Sequence, residues 1–264
     1  MRSNNKIVDA TKVILKNGRK RIFSYQRKFY EDDIFIVSYP KSGNTWLRFI
    51  IANLLNSNNE IINFHNVSNY VPEMGVQDNL ISTLQRPRKI KSHATYNPKF
   101  SKVIYLIRDP RDVYVSYYHY SKKSLAQNID FSSFLRRNDI YPCRWHTHVE
   151  SWLNKSNIFA LIKYEDLLED PFKEISKIAK DICGFQPSES KVRSAINCSS
   201  LENMKAIENK FGRPFRSETH KTKAPKTFVR KGIHGDWENY FSNEDKEYLY
   251  SEAKLLLKEF RYDE

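Results

Sequence analysis

An apolar, β-branched run, Ile34-Phe-Ile-Val-Ser-Tyr39, passes without a break into the polar elbow Pro40-Lys41-Ser42-Gly43-Asn44-Thr45. Past the elbow, Leu47, Ile50, Ile51 and Leu54 recur at i, i+3, i+4 and i+7, the apolar stripe of an amphipathic helix. The stretch reads as buried strand, tight turn and helix, with the turn placed between a strand end and a helix N-terminus. The unit recurs. Lys102-Val-Ile-Tyr-Leu-Ile107 is a second buried strand, closed by Arg108-Asp109-Pro110-Arg111-Asp112. Asp109 suits an N-cap and Pro110 a first helical position, so Val113 to Tyr120 should be helical. Asn157-Ile-Phe-Ala-Leu-Ile162 reads as a third strand, and Asp170-Pro171 opens a helix with Phe172, Ile175, Ile178 and Ala179 on one face. Strands alternating with helices predict an α/β fold with a parallel sheet and helical crossovers.

The rest of the chain fits one domain over residues 1–264, with a basic N-terminal arm at 1–30 and a core at 33–260. Residues 209–227 are basic and proline-punctuated, the pattern of a long loop or lid. Leu249, Ala253, Leu256, Leu257 and Phe260 then mark a C-terminal helix from about Asn243. The 264 residues are 40% apolar and 14% aromatic, enough to bury a core, so a wholly disordered chain is excluded. No apolar run is long enough to span a bilayer, and Met1-Arg-Ser-Asn-Asn-Lys-Ile-Val-Asp has no signal-peptide core, so neither a membrane anchor nor secretion is expected. Cys143, Cys183 and Cys198 form no CxxC pair, which points to a reduced, cytoplasmic protein.

Lys and Arg number 44 against 31 Asp and Glu, a net charge of +13. Such an excess attracts nucleic acid, an anionic surface or a phosphate-bearing small molecule, and composition alone leaves these open beside a merely solvated basic surface. The elbow at 40–45 narrows the choice. A helix N-terminus offers unpaired N–H groups and partial positive charge; Gly43 lets backbone approach a ligand, and Lys41 adds a full charge. The lysine precedes the glycine, so this is not GxxxxGK[ST]. Taken alone, the segment could equally be an ordinary strand-to-helix turn.

Tyr39-Pro-Lys-Ser-Gly-Asn-Thr-Trp46 resembles the 5′-phosphosulfate loop of the sulfotransferases, commonly YPKSGTTW. That family takes its sulfuryl group from 3′-phosphoadenosine 5′-phosphosulfate (PAPS). The resemblance implies that Lys41 meets the phosphosulfate, that Ser42, Gly43, Asn44 and Thr45 cradle it, and that Trp46 packs on the adenine. Arg108-Asp-Pro-Arg-Asp-Val-Tyr-Val-Ser-Tyr-Tyr-His119 is similar to the family's RxxxDVxVSxYH, so Arg108 and Ser116 are expected on the 3′-phosphate. Phe228-Val-Arg-Lys-Gly-Ile-His-Gly-Asp-Trp237 is similar to RKGxxGDW, which assigns Arg230, Lys231 and the Gly232 N–H to the same clamp. The three blocks stand in the family's order. Lys163-Tyr164-Glu-Asp-Leu167 implies Tyr164 beside the adenine, as does Cys198-Ser-Ser-Leu-Glu-Asn-Met204 for Ser199 and Leu201, which replace the usual Thr and Phe.

A base for the acceptor must come from seven histidines. Histidine suits the task because its ordinary pKa lies near working pH. His93, in Lys91-Ser-His93 at the end of the short run from Arg88, resembles the KTH segment that carries the base in small-molecule sulfotransferases, and Lys91 would then steady the sulfuryl oxygens. His146-Thr-His148 lacks a further ligand at metal spacing, so no metal is expected. His148 lies in a stretch resembling WxxHVxxW, with helix packing and an acceptor-pocket wall both open to it; His119 reads as structural. The family's KxxxTVxxxE dimer pattern is not matched at Glu238, Ser242, Asn243 and Glu247, so that dimer is not assumed.

The expected fold is thus a central parallel sheet flanked by helices, P-loop-kinase-like in topology. The expected activity is transfer of sulfuryl from PAPS to a hydroxyl or amine of a small-molecule acceptor, leaving PAP, with no nucleic acid or membrane partner. Acceptor contacts are expected from about 64–90, 119–148 and 205–228. The rival readings are a nucleotide kinase or NTPase, which lacks its Walker spacing here, a nucleic-acid-binding module, and a non-catalytic PAP-binding protein.

Overall fold

The computed structural model describes residues 28–125, 129–214 and 229–263. Most of the basic arm, Phe228, and residues 215–227 of the expected loop lie outside the described residues. In chain order the regular elements begin with β1 (Ile34–Ser38), α1 (Asn44–Leu55), α2 (Asp78–Thr83), β2 (Lys89–Ser92) and β3 (Lys102–Ile107). There follow α3 (Pro110–Leu125), α4 (Phe131–Leu135), α5 (Trp145–Trp152), β4 (Ile158–Lys163) and α6 (Tyr164–Glu169). The chain continues through α7 (Pro171–Cys183), α8 (Glu189–Cys198), α9 (Leu201–Phe211) and α10 (Asn243–Glu259). All four strands are parallel, in the order β2-β1-β3-β4.

Alternation along the strands divides the core in two. Phe35 and Val37 of β1, with Val103 and Tyr105 of β3, face a layer built from α3, α4, α5 and α10. Ile34 and Ile36, with Ile104 and Leu106, face α1, α6, α7 and α8. A parallel sheet covered on both faces explains why its strands read as continuous apolar runs. The chain leaves β1 for α1 on one face and β3 for α3 on the other. The two elbows therefore part company above the strand ends, opening a crevice at the switch point between β1 and β3.

Local signals hold where they are chemical. The Asp170 carboxylate accepts the Lys173 N–H at 2.9 Å, Pro171 follows it, and Gly184 closes α7 at φ 79°. Ser242 and Asp245 form a reciprocal capping box at the start of α10, whose Leu249, Ala253, Leu256 and Leu257 are buried. Boundaries move by a few residues: β1 ends at Ser38, α3 runs on to Leu125, β4 begins one residue late, and residues 209–211 of the expected loop continue α9.

Candidate active site

The loop after β1 has to turn within a few residues, and it does so with left-handed backbone at Lys41 (φ 73°) and Gly43 (φ 94°). Glycine is required at the second. A Cβ on Gly43 would come within 2.5 Å of Cδ2 of Tyr164. No side chain caps α1 at Gly43, so its first backbone N–H groups are available to an anion. The Asn44 side chain turns away from the crevice: its amide donates to Ile36 O at 3.3 Å and to Ser38 Oγ at 3.0 Å. Asn44 thus ties the elbow to its own strand. Ser42 is fully buried, and its Oγ has no hydrogen-bond partner among the described residues.

The loop after β3 supplies Arg108, which connects all three sequence blocks. Its guanidinium donates to Lys41 O at 3.3 Å and to Ile233 O at 2.9 Å, and lies 4.2 Å from the centre of the Tyr164 ring. Asp112, one turn into α3, pairs with Arg108 at 3.6 Å and accepts the N–H groups of Gly235 (2.9 Å) and Trp237 (3.1 Å). The third block is thereby fastened to the second across more than a hundred residues. Asp236 holds Arg230 and Lys231 at 2.6 Å each; its carboxyl sits below the usual range, against the opposing effect of burial, because both cations bond to it. Gly232 takes φ 65°, and a Cβ there would meet Leu201 Cδ1 at 2.9 Å.

His93 follows β2, the strand beside β1. Its Nδ1 lies 2.7 Å from the carbonyl of Ser38, which can only accept, so Nδ1 carries the proton and Nε2 is left as the basic nitrogen. Burial first, then the charge of Lys91, lower its pKa to about 3, with the Ser38 carbonyl and Glu73 acting in the other direction. At neutral pH the ring is uncharged, the form a base requires. Lys91 is buried and its Nζ lies 3.1 Å from Oε2 of Glu73.

These groups share one cavity of about 790 Å³. Its wall includes Lys41, Gly43, Asn44, Thr45 and Trp46 from the first block, Arg108 and Ser116 from the second, and Arg230, Lys231 and Gly232 from the third. Lys91, His93, Tyr164 and Leu201 also line it. Two sequence-assigned residues do not. Ser42 lies behind the loop, and Ser199 is fully buried, donating to Ala195 O at 2.8 Å and accepting from Asn53 Nδ2 at 3.1 Å. Asn197 and Ser200 form the wall there instead. Three wall residues carry no individual assignment from the sequence: Glu73 and Tyr141 come from the stretches 64–90 and 119–148 expected to meet the acceptor, and Tyr117 is an unspecified position of the second block. Tyr120 lines it too, and Lys41 Nζ stands 4.6 Å over its ring.

The remaining histidines have other surroundings. His148 is fully buried and absent from the cavity wall; its Nδ1 lies 2.9 Å from Tyr105 Oη, and burial lowers its pKa to about 4. His119 Nε2 meets Tyr240 Oη at 2.9 Å, while His146 faces Glu252. Among the described residues no group of three or more His, Cys, Asp and Glu is placed to hold a metal ion, and no helix is long and apolar enough to cross a membrane.

A family model described as the sulfotransferase domain matches residues 31–260. Sulfotransferase 1B1 of Mus musculus is 35% identical over 236 residues, 80% of this chain and 77% of that protein. Flavonol 3-sulfotransferase of Flaveria bidentis is 29% identical over 248 residues, 82% of this chain and 79% of that one. Among solved structures, mouse sulfotransferase SULT7A1 complexed with PAP superposes with a TM-score of 0.68 at 25% identity, covering 89% of this chain and 90% of that one. Retinol dehydratase in complex with retinol and PAP shares the fold with a TM-score of 0.68 at 22% identity, over 89% of this chain and 83% of that one. The order of the three blocks, the crevice they line and these likenesses agree: the chain belongs to the sulfotransferase family and is a PAPS-dependent enzyme of that fold.

Proposed function

We propose that the chain transfers the sulfuryl group of PAPS to a hydroxyl or amine of a small-molecule acceptor, with His93 as general base. One observation carries the reading: His93 and the cationic residues of all three blocks line one cavity. The cradle fits the donor, since Gly43 leaves room for close approach and Arg108, Arg230 and Lys231 supply charge for a 3′-phosphate. Ser116 adds a hydroxyl, and Trp46, Tyr164 and Leu201 offer an apolar seat for a purine.

The work of each residue follows from its place. His93 takes the acceptor proton at Nε2 while Ser38 O fixes the ring through Nδ1–H. Lys41 leaves the face of Tyr120 to neutralise charge on the departing phosphate oxygen. Lys91 steadies the sulfuryl oxygens, and positioning with preorganised charge supplies most of the rate. No metal has a part in this scheme. His148, buried behind the wall, packs α5 against the sheet rather than meeting the acceptor. Ser199 shapes the purine end from outside the cavity through its bonds to Ala195 and Asn53. The same reading treats residues 31–260 as one catalytic domain and places it in the cytoplasm, where its free thiols suit a reducing milieu.

The test is a PAPS-dependent screen of phenols, aliphatic alcohols and amines read by mass spectrometry. Sulfated product from the wild type and at least ~10²-fold less from His93→Ala is the expected result. No product with any acceptor, despite binding of PAP, would favour the non-catalytic alternative.

A further inference from the structure

Glu73 is an acidic residue in a cavity otherwise dominated by cations, and no motif accounts for it. Its placement is specific. Residues 72–74 run beside the outer edge of β2: Lys91 N–H donates to Pro72 O at 2.9 Å, Met74 N–H donates to Lys91 O at 2.9 Å, and Glu73 and Lys91 are bridge partners. The Glu73 N–H donates to Gln77 Oε1 at 2.7 Å, which pins the segment from its other side. Backbone pairing thus fixes the Glu73 carboxylate opposite the Lys91 ammonium, 3.1 Å away, with side chains 11% and 4% exposed. A buried lysine without a neighbouring carboxylate tends to lose its proton or its place.

We infer that Glu73 is a positioning residue for transfer, holding the Lys91 ammonium charged and aimed into the cavity beside His93. This rests on the role proposed for Lys91 above. A second consequence agrees with it: Glu73 opposes the effect of Lys91 on His93, so the base is not further weakened by an uncompensated cation.

The experiment is a double-mutant cycle in the full chain with Glu73→Gln, Lys91→Ala and both together. It uses PAPS and whichever acceptor in the screen is sulfated fastest, and reads kcat, Tm and the Tm shift induced by PAP. Lys91→Ala should lower kcat by ~10²-fold and Glu73→Gln by ~10-fold, with the double variant no slower than Lys91→Ala within about twofold. The PAP-induced shift should stay near wild type throughout. A pair of merely structural worth would couple in Tm and leave kcat alone, which overturns the inference. So does an equal loss from Glu73→Gln with and without Lys91, since Glu73 would then act on its own. If Lys91→Ala leaves kcat unchanged, the role of Lys91 fails and takes this inference with it; a normal Glu73→Gln beside an impaired Lys91→Ala sinks the inference alone. Should Glu73→Gln fail to fold, Glu73→Asp keeps the charge one methylene further back, and its loss of kcat should likewise vanish without Lys91.

Discussion

Replacing Gly43 with alanine tests the physical claim that the phosphosulfate loop is built around a missing side chain. Two costs can be read from the structure. The backbone sits at φ 94°, where a Cβ costs roughly 1–2 kcal/mol. The added carbon would also lie 2.5 and 2.7 Å from two ring carbons of Tyr164, close to an ångström inside ordinary contact. That ring is buried between the elbow and Arg108, so it has little room to yield, and such overpacking costs about 1–3 kcal/mol. Together the destabilisation should be about 2–5 kcal/mol. For a domain of this size that lowers Tm by ~4–20 °C.

The same displacement has a functional signature. Tyr164 lies 4.2 Å from the Arg108 guanidinium and packs edge-on to Trp46 at 5.8 Å, so moving it disturbs the phosphate and purine ends of the crevice at once. PAP affinity, measured by calorimetry, should fall by at least ~10-fold. Gly184→Ala is the control. It also sits at positive φ, 79°, but a Cβ there meets nothing within 4 Å. It should show the backbone cost alone, about 1 kcal/mol, and wild-type PAP affinity. Gly43→Ala with Tm and PAP affinity matching those of Gly184→Ala would refute the crowding argument.

His93→Ala should lower kcat by ~10²-fold or more while leaving PAP affinity near wild type, because His93 stands outside the three blocks proposed to hold the cofactor; activity within a few-fold of wild type would remove it as the base. Arg108→Ala should blunt the PAP-induced rise in Tm and lose discrimination between PAPS and adenosine 5′-phosphosulfate, which lacks the 3′-phosphate; undiminished discrimination would place that phosphate elsewhere. The pKa of His93 falls from 6.5 to about 3 on folding, so between those values the unfolded chain binds the extra proton. This contribution to stability is complete above pH 6.5 and drains away as pH drops toward 3. His93→Gln should therefore flatten the fall of Tm between pH 6.5 and 4, and an unchanged slope would contradict the burial of a neutral ring. Turnover should survive EDTA; a loss restored by a divalent ion would require a metal.

The legible parts of this fold share a physical cause. β1 and β3 announce themselves as apolar runs buried on both faces, α1 and α10 by an apolar stripe at fixed period, and α3 and α7 because Asp109-Pro110 and Asp170-Pro171 mark their starts. α2 and α4 are too short to show a period, and α9 buries little beyond Met204, so their position follows from what they pack against. The cofactor end was readable for a related reason. Gly43 stands at a strand-to-helix elbow and Gly232 in the loop before residue 236, each at positive φ with a neighbouring side chain where a Cβ would lie, and such constraints appear in the sequence as contiguous blocks. Ser199 shows the limit: its motif locates the purine wall, but which of two adjacent serines faces the cavity depends on where α8 ends and α9 begins.

At the acceptor end, function depends on side chains that tertiary structure brings together one at a time. Glu73 comes from an irregular stretch before α2, Tyr117 and Tyr120 from successive turns of α3, and Tyr141 from the loop before α5. Each of these segments could carry another side chain without loss of its backbone pairing, because that pairing runs through main-chain atoms, as Pro72 O and Met74 N–H do with Lys91. Arg108 has no such freedom, since its side chain bonds at once to Lys41 O and Ile233 O and its loss would leave the third block tied to the second through Asp112. Acceptor choice in this chain is therefore to be sought by exchanging Tyr117 and Tyr141, whereas exchanging Tyr120 also removes the ring on which Lys41 rests.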